Sequence, residues 1–326
     1  MTKLTICLLG ALMAAGQLMA ATNVALAPTS PPSAAPPGAG DSVEKEYKQI
    51  MEADDTAQAD VDQLIRDNEA AAAKGAGVPS ADLRRRIRER FAPIRTAYED
   101  FIQRHPDHAR ARVAFGSFLN DMQDEEGAQE QWEKALALNP KDPAVYNNLA
   151  NVYGHVGPVK KAFEYYAKAI ELSPREPVYY NNLGTTVFLF RKDAMEFYGI
   201  TEQQVYDKAL ELYSKAIKFD PTNFPLASDV AQTYYGIKPL RLEDALKAWT
   251  NTLALAHDEV EREGVYLHFA RLKLQADRFP EVHAHLAAVT NEMYAVLKNR
   301  LSRNLEEQER KSKDTNAPPA ATEKKQ

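Results

Sequence analysis

Two short segments of this 326-residue chain are nearly identical and lie 34 residues apart. Residues 146–150 read YNNLA, and residues 180–184 read YNNLG. The same interval of 34 residues recurs in three prolines and in one aromatic pair, namely Pro106, Pro140 and Pro174, and Trp132 and Tyr166. A fixed period of about 20–50 residues is typical of stacked structural repeats. The period therefore predicts small units that must stack on one another to bury their apolar faces.

Residues 143–176 have the pattern of one complete helix–turn–helix unit. Asp142 can cap the first helix, and Pro143 lies in its first turn, where a missing N–H costs nothing. Gly157 and Pro158 then break the chain. The small residues let the two helices approach closely, and the aromatic residues fill the gaps between units. The residues expected to pack are Tyr146, Leu149, Ala150, Tyr153, Ala162, Tyr166 and Ala169, with Pro174 at the end.

This pattern resembles the tetratricopeptide repeat family, whose unit carries aromatic, Leu-Gly/Ala, aromatic, Ala, aromatic, Ala and Pro at these places. Residues 143–176 match at every one of them, and the resemblance covers roughly residues 94–290. Arg112 departs from the pattern, because an aromatic residue is usual there. The resemblance implies an all-α fold, a right-handed superhelical solenoid of helix–turn–helix repeats with extra N-terminal helices and a C-terminal capping helix.

The chain is accordingly expected to contain several segments in series. They are a signal peptide (1–20), a Pro/Ala-rich disordered linker (21–41), N-terminal helices including a partial repeat (42–108), repeats at 109–142, 143–176 and 177–222, degenerate repeats at 223–258 and 259–290, a capping helix (291–312) and a disordered tail (313–326). The third repeat carries an insertion of about 13 residues, within 188–207, because both flanks resume in phase. We expect Asp193 to cap a short helix inside this insertion.

The first 20 residues have the pattern of a secretory signal peptide. Lys3 forms a short positive region, residues 4–16 are apolar, and Ala20 provides a small residue for cleavage. An uncleaved anchor is the alternative, although a bilayer span needs about 20 apolar residues. Cys7 is the only cysteine and lies inside this segment, so the mature chain would have no disulfide and no thiolate nucleophile.

The N-terminal helices are expected in three segments. The first begins with a capping box at Asp41, the second carries Val61 and ends near Gly77, and the third begins at Ser80. Pro93 lies inside the apolar stripe of the third segment and should kink or split that helix.

Composition and spacing argue against most kinds of chemistry. The formal net charge of −6 disfavours a general nucleic-acid binder. The pairs His105/His108 and His283/His285 lack the i, i+4 spacing of a helical metal site, and we interpret them as solvated surface histidines. The acidic run at 124–126, placed in the turn between two helices, is interpreted as a solvated charge run rather than as a catalytic pair. The five arginines between residues 84 and 90 are interpreted as charged helix surface rather than as an anion site. No catalytic residue, metal or cofactor is predicted.

The surface expected to carry function is the hollow that the first helix of each repeat lines, as the resemblance implies. The candidate partner-binding residues are Arg110, Ser117, Asn120, Asn147, Asn151, Asn181, Thr185, Phe188, Gln232, Tyr235 and Arg271. Such a surface can hold a peptide segment or a helix of another protein by amide hydrogen bonds and stacking. Asn147 and Asn181 should face the hollow, while Asn148 and Asn182 should satisfy contacts between repeats. Val113 replaces the first Lys of the family's carboxylate clamp, so that clamp is not predicted.

The leading hypothesis is therefore a non-enzymatic protein–protein interaction module, exported to the periplasm or secreted, with contacts to envelope proteins. The alternative is an accessory factor for envelope complex assembly or secretion that uses the insertion or the N-terminal helices. An enzyme or a carbohydrate-binding protein is a third class that no residue pattern supports. No nucleic acid is expected as a partner, and no membrane span is expected after signal cleavage.

Overall fold

The computed structural model describes residues 39–315. The predicted signal peptide and most of the predicted linker and tail lie outside these residues. Within them the chain is all-α, as the sequence predicts, with fourteen α-helices and no strand. The described residues divide into two compact units, residues 39–201 and residues 202–315, called here the N-terminal unit and the C-terminal unit.

The N-terminal unit contains eight helices. They are α1 (Ala39–Ala72), α2 (Ser80–Arg104), α3 (Ala109–Asp121), α4 (Glu125–Leu138), α5 (Pro143–Val156), α6 (Val159–Leu172), α7 (Pro177–Leu189) and α8 (Arg191–Tyr198). Consecutive helices pack against each other from α1 to α7, and α1 also packs on α3, as α5 does on α7. The helices α1, α3, α5 and α7 are therefore the first helices of successive pairs.

Local signals place the ends of these helices. The Asp142 carboxylate accepts a hydrogen bond from Ala144 N at 3.0 Å, and Pro143 occupies the first turn of α5. Gly157 follows the last residue of α5 in an extended conformation. Asp124 caps α4 in the same way as Asp142, through Gly127 N at 3.1 Å. Each cap satisfies a backbone donor that has no partner within the helix.

The N-terminal helices differ from the sequence prediction in number. The first two predicted segments form one continuous helix, α1, because its apolar residues stay on one face along α2. The third segment is α2, and it runs unbroken through Pro93, so of the predicted kink or split the split is wrong. Inside this hairpin, the hydroxyl of Tyr98 donates to the buried carboxylate of Asp54 at 2.8 Å. With α1 in place, the partial repeat becomes a complete helix pair.

A repeated hydrogen bond explains the constant spacing between the prolines and the residues six positions later. The hydroxyls of Tyr146 and Tyr180 donate to the carbonyl oxygens of Pro140 and Pro174, at 3.3 and 3.0 Å. Arg112 stands at the equivalent place, and its Nε donates to the Pro106 carbonyl at 2.9 Å. The departure from the family pattern at Arg112 therefore keeps the hydrogen bond and changes only its donor.

The core of the N-terminal unit contains the predicted packing residues with one exception. Leu149, Ala150 and Tyr153 are buried, but Tyr146 is only half-buried and packs edge-on against Tyr165. Tyr146 is therefore mainly a hydrogen-bond donor at the rim, and its truncation should cost less than that of a core aromatic residue.

The insertion forms α8 and continues into the C-terminal unit. The helix begins at Arg191, after Phe190, which makes no side-chain cap. Asp193 is thus inside its first turn and does not cap it, contrary to prediction. The helix ends at Gly199, whose φ of 65° is the left-handed conformation that glycine adopts without strain.

The C-terminal unit contains six helices and ends in the predicted capping helix. They are α9 (Glu202–Phe219), α10 (Phe224–Thr233), α11 (Leu242–Ala254), α12 (Glu259–Leu274), α13 (Phe279–Ala287) and α14 (Ala295–Thr315). Helix α14 packs on α12 and α13 through Leu301 and Leu305. The buried carboxylate of Glu263 fixes the turn before α14, because it accepts hydrogen bonds from Thr290 N at 3.0 Å and Asn291 N at 2.7 Å.

None of the helices in residues 39–315 is both long and apolar enough to cross a bilayer.

Candidate protein-interaction faces

The candidate residues fall on two separate faces. The N-terminal face comprises those on α3, α5 and α7, which are Arg110, Ser117, Asn120, Asn147, Asn151, Asn181, Thr185 and Phe188. The C-terminal face comprises those on α10, the turn that follows it, and α12, which are Gln232, Tyr235 and Arg271.

A buried amide network joins α5 to α7 within the N-terminal face. The side chain of Asn182 donates to Asn147 Oδ1 at 3.0 Å and lies 3.5 Å from Asn151 Oδ1. The hydroxyl of Tyr166, on α6, also donates to Asn151 Oδ1. Asn182 thus makes the contact between repeats that the sequence predicts for it.

The same network corrects the prediction for Asn147 and Asn151. Asn147 is 1% exposed and Asn151 is 5% exposed, so neither presents its side chain to an open hollow. The reason is that both amides point into the seam between consecutive first helices, where their oxygens satisfy the buried donors of Asn182 and Tyr166. Buried polar groups without such partners are costly, so the network stabilises the packing of α7 on α5.

Asn181 differs from its neighbour Asn182. It is half-buried, and its Oδ1 has no hydrogen-bond partner among the described residues although water does not reach it. Thr185 and Phe188 follow at i+4 and i+7 and are also half-buried, so the three lie along one side of α7. Asn120, on α3, is half-buried with no side-chain hydrogen bond among the described residues. Ser117 uses its hydroxyl within α3, donating to Val113 O at 3.2 Å.

Helix α1 engages Arg110 at the edge of the N-terminal face. The guanidinium pairs with Glu44 at 3.0 Å and lies 5.0 Å from the ring centroid of Tyr47. His108 also packs on the Tyr47 ring, at 4.9 Å between centroids. Burial lowers the pKa of His108, although the nearby Glu44 carboxylate acts in the opposite direction. The Arg110 guanidinium is therefore already in contact with two residues of α1.

Aromatic contacts build the C-terminal face. The Arg271 guanidinium lies 4.1 Å from the ring centroid of Tyr235, whose hydroxyl is 3.0 Å from His268 Nδ1. The His268 ring stacks on Trp249 at 3.8 Å. The third candidate, Gln232, donates to Ser228 Oγ at 3.3 Å, one turn earlier on α10. The structure thus brings Tyr235 and Arg271 together, while Gln232 bonds within its own helix.

Sequence reasoning missed Tyr166, His268 and Glu44 as parts of these faces. The spacing of Tyr166 predicts that its ring packs in the core, but it does not predict the hydrogen-bond partner of its hydroxyl. His268 belongs to no motif, and the sequence assigns Glu44 only to a capping box, so the approach of another helix gives each residue its contact. The one available signal was the i, i+3 spacing of His268 and Arg271 on a helix, which places both on one side.

The other polar groups weighed in the sequence have structural contacts. His108 caps α3 through Ala111 N at 3.0 Å, and His283 contacts Glu309 at 2.9 Å. Asp124 caps α4 and pairs with Arg95 at 3.2 Å. Within residues 39–315, no three potential metal ligands come together. Of the five arginines, Arg85 pairs with Glu89 and Asp82, and Arg90 pairs with Asp60.

Two family models match the repeats in sequence. One, described as TPR repeat, matches residues 116–157, and the other, described as Tetratricopeptide repeat, matches residues 143–176. The second range coincides with the unit that first showed the period. No curated protein matches the chain in sequence.

Three solved structures illustrate what this chain is similar to, two of them described as TPR proteins. PilF of Pseudomonas aeruginosa is 16% identical, with a TM-score of 0.49 over 79% of this chain and 99% of that one. YrrB, described as a TPR protein with an unusual peptide-binding site, is 15% identical, with a TM-score of 0.47 over 64% and 98%. A thermophilic TPR protein of Thermus thermophilus is 22% identical, with a TM-score of 0.41 over 60% and 98%.

The stacked helix pairs define a class of protein, the all-α helical-repeat scaffold. Residues 116–176 form tetratricopeptide repeats, as the two sequence matches and the helix–turn–helix pairs that they cover show. Members of this family are in general non-catalytic modules for protein–protein interaction, and this chain has the scaffold of such a module.

Proposed function

We propose that this chain is a non-enzymatic, exported interaction module that binds a peptide segment or a helix of a partner protein on its N-terminal face. The observation that carries the proposal is the Asn181 side chain, whose shielded Oδ1 has no donor among the described residues. An unpaired buried acceptor costs about 1–3 kcal/mol, and a donor from a bound peptide would remove that cost.

The neighbouring residues support the same proposal. Asn181 has Thr185 and Phe188 beside it along one side of α7, a mixed polar and apolar surface that suits a peptide held by backbone hydrogen bonds and one apolar contact. The buried network beneath them, centred on Asn182, holds α7 in place on α5. A rigid support of this kind lowers the entropic cost of binding.

The test is a selection of binding peptides from a random library with the whole chain as bait. Asn181→Ala should weaken a selected peptide about five- to tenfold, the equivalent of about one hydrogen bond. Asn304→Ala is the matched control, because Asn304 is exposed on α14 in the C-terminal unit. Failure to select any peptide, or equal affinities for the two variants, would count against the N-terminal face.

Export is a separate part of the proposal and rests on the pattern of residues 1–20. Residues 1–41, fused to an alkaline phosphatase that lacks its own signal, should give activity outside the cytoplasm and cleavage near Ala20. Leu9→Arg places a charge in the apolar region and should abolish both. A fusion that stays in the cytoplasm would refute export and leave the binding proposal intact.

A second candidate function is that of an accessory factor in envelope complex assembly or secretion, and the insertion favours it. Leu189, Met195 and Phe197 are 41%, 37% and 36% exposed, although all three are large and apolar. Phe197 is held in place by Phe163 of α6, with ring centroids 5.3 Å apart. Met195 and Phe197 lie on one short helix, α8, and exposed apolar residues in such a place are typical of a contact with another protein.

This candidate makes its own prediction. Phe197→Ser should release a partner captured from an envelope extract, while Asn181→Ala should leave that partner bound. Val296→Ser is the control, since Val296 is 82% exposed on α14. If Asn181→Ala released the partner and Phe197→Ser did not, the insertion would be rejected as the binding site and the N-terminal face would be supported.

A further inference from the structure

The helices α1 and α2 extend past the end of α3 as a two-helix hairpin. Gln58 of α1 donates a side-chain hydrogen bond at 3.2 Å to Asp121, the last residue of α3. Arg95 of α2 pairs with the N-cap carboxylate of α4, also at 3.2 Å. Beyond these two contacts each helix continues for about 14 residues, or about 20 Å at 1.5 Å per residue. We call this part, residues 59–94, the hairpin extension.

The apolar residues of the hairpin extension are less covered than those beside α3. Phe91 is 5% exposed, because Phe118 of α3 packs edge-on against its ring at 5.5 Å between centroids. One turn further out on the same side of α2, Ile87 is only half-buried, and so is Ile65 on α1. The notch between α1 and α2, which α3 fills beside Phe91, is therefore open along the hairpin extension.

The α1 edge of this notch is acidic. Asp62 and Glu69 follow Gln58 by four and eleven residues, so the three side chains lie on the side of α1 that faces α3. Asp62 and Glu69 are exposed, and neither pairs with a cation among residues 39–315. Two carboxylates along this edge are thus available to a partner.

The α2 edge of the notch is basic. Arg88 and Arg84 precede Arg95 by seven and eleven residues, so they share the side of α2 that contacts the start of α4. Arg84 and Arg88 are exposed, and neither pairs with a carboxylate in the described part of the chain. The two edges therefore carry opposite charges, and the half-buried Ile65 and Ile87 lie between them.

We propose that the hairpin extension binds an amphipathic helix of a partner protein in this notch. The apolar stripe of the partner helix covers Ile65 and Ile87, as α3 covers Phe91 nearer the core. A helix of about 14 residues matches the length of about 20 Å that α3 leaves open.

The charges of the notch define the flanks of the partner helix. Basic side chains on one flank lie against Asp62 and Glu69, and acidic side chains on the other lie against Arg84 and Arg88. A helix with one sign of charge on both flanks is attracted by one edge and repelled by the other. The hairpin extension is separate from the surface around Asn181, so this inference goes beyond the proposed function.

Four fluorescent helical peptides with the same spacing test the notch by anisotropy with the whole chain. The mixed peptide has an apolar stripe with lysines on one flank and glutamates on the other. The scrambled peptide has the same composition but alternates lysine and glutamate on both flanks. The third peptide has lysines on both flanks, and the fourth is the mixed peptide with serines in its stripe.

The mixed peptide should bind about tenfold more tightly than the scrambled one, because each of the four edge charges contributes a factor of about 1.5 to 5 as an exposed pair. The mixed peptide can lie in either direction, and one direction matches both edges. The serine peptide should not bind. Equal affinities of the mixed and scrambled peptides, or binding of the serine peptide, would overturn the proposal.

Variants of α2 locate the binding. Arg88→Glu should weaken the mixed peptide about fivefold, whereas Arg86→Glu should leave its affinity unchanged, because Arg86 is exposed on the opposite side of α2. Arg84→Glu with Arg88→Glu makes both edges acidic, so this variant should prefer the peptide with lysines on both flanks. Equal effects of Arg86→Glu and Arg88→Glu, or an unchanged preference in the double variant, would reject the notch.

Two further measurements address other occupants. If the chain alone self-associated in sedimentation and the double variant Arg84→Glu/Arg88→Glu were monomeric, the notch would belong to a second copy and the proposal would be wrong. If deletion of residues 316–326 tightened the mixed peptide at least tenfold, the chain's own C-terminal segment would be the occupant instead. A monomeric chain whose affinity is unchanged by the deletion supports a partner helix.

The outcomes are independent of the proposed function. Peptides that bind through Asn181 should be indifferent to the double variant Arg84→Glu/Arg88→Glu, and the mixed peptide should be indifferent to Asn181→Ala. Failure at either surface therefore leaves the other standing.

Discussion

Asn182 is predicted to contribute more to stability than Asn181, although the two residues are identical and adjacent. Asn182 is 5% exposed and donates to Asn147 Oδ1 at 3.0 Å, across the seam between α7 and α5. Asn182→Ala removes this donor and leaves the buried Asn147 oxygen unpaired, while Asn151 keeps the hydroxyl of Tyr166. One unpaired buried acceptor lowers the free energy of unfolding by about 1–3 kcal/mol.

The control is Asn181→Ala. This change removes a buried oxygen that already lacks a partner among the described residues, so it should not lower the free energy of unfolding and should raise it by up to about 1–3 kcal/mol. The comparison holds residue type, helix and substitution constant and varies only the hydrogen bond.

Urea unfolding followed by tryptophan fluorescence can measure the difference. The chain has two tryptophans, and a Trp249→Phe background leaves Trp132, in α4 of the same unit as Asn182, as the only reporter. The slope of the free energy with denaturant must stay constant between variants, since a change would signal altered cooperativity.

A double-mutant cycle completes the test. Asn147→Ala and Asn182→Ala should couple by about 0.5–3 kcal/mol, because each removes one partner of the same bond. Equal losses from Asn181→Ala and Asn182→Ala, or independent effects of Asn147 and Asn182, would refute the assignment of the seam.

Three further changes test other parts of the fold. Gly116→Ala should destabilise the N-terminal unit by about 1–3 kcal/mol, since the new Cβ would lie 2.5 Å from Nε1 of the fully buried Trp132, and thermal unfolding would show it. Burial raises the pKa of Glu263, but the hydrogen bonds donated by Asn291 N–H and by Thr290 lower it by more. The pKa of Glu263 therefore lies below the ordinary value for a glutamate. The ionised Glu263 carboxylate should therefore stabilise the fold above about pH 5, and this contribution should disappear as the pH falls through the lowered pKa. Glu263→Gln should remove this pH dependence of the free energy of unfolding. Tyr146→Phe should cost less than about 1 kcal/mol by urea unfolding, because its hydrogen bond is exposed to water.

The sequence predicted the helix pairs well because their signals are local. The cap at Asp142, the proline that follows it and the break at Gly157 each act within a few residues of the chain. The length of α1 and the start of α8 could not be predicted from local signals, because packing against a neighbouring helix decides whether a weak helical segment continues.

The candidate faces were predictable only as positions on helices. Helical periodicity placed Asn147 and Asn181 on the same side of successive first helices, and it treated them as equivalent. The structure separates them, because Asn182 reaches back to Asn147 while no described residue donates to Asn181. Likewise, Arg271 and Tyr235 were both named from spacing, but spacing could not show that the guanidinium of one stacks on the ring of the other.

The sequence by itself thus determined that the chain is a stack of helix pairs, since repeated apolar residues at fixed intervals have no other way to be buried. Its local signals also predicted the ends of single helices, as at Asp142 and Gly157. Only the tertiary structure decided which polar side chains are paired within the fold and which keep an unpaired charge or hydrogen-bond acceptor. That distinction depends on contacts between residues more than 30 positions apart, and the free energy of a polar group is set by those partners rather than by its place in a repeat.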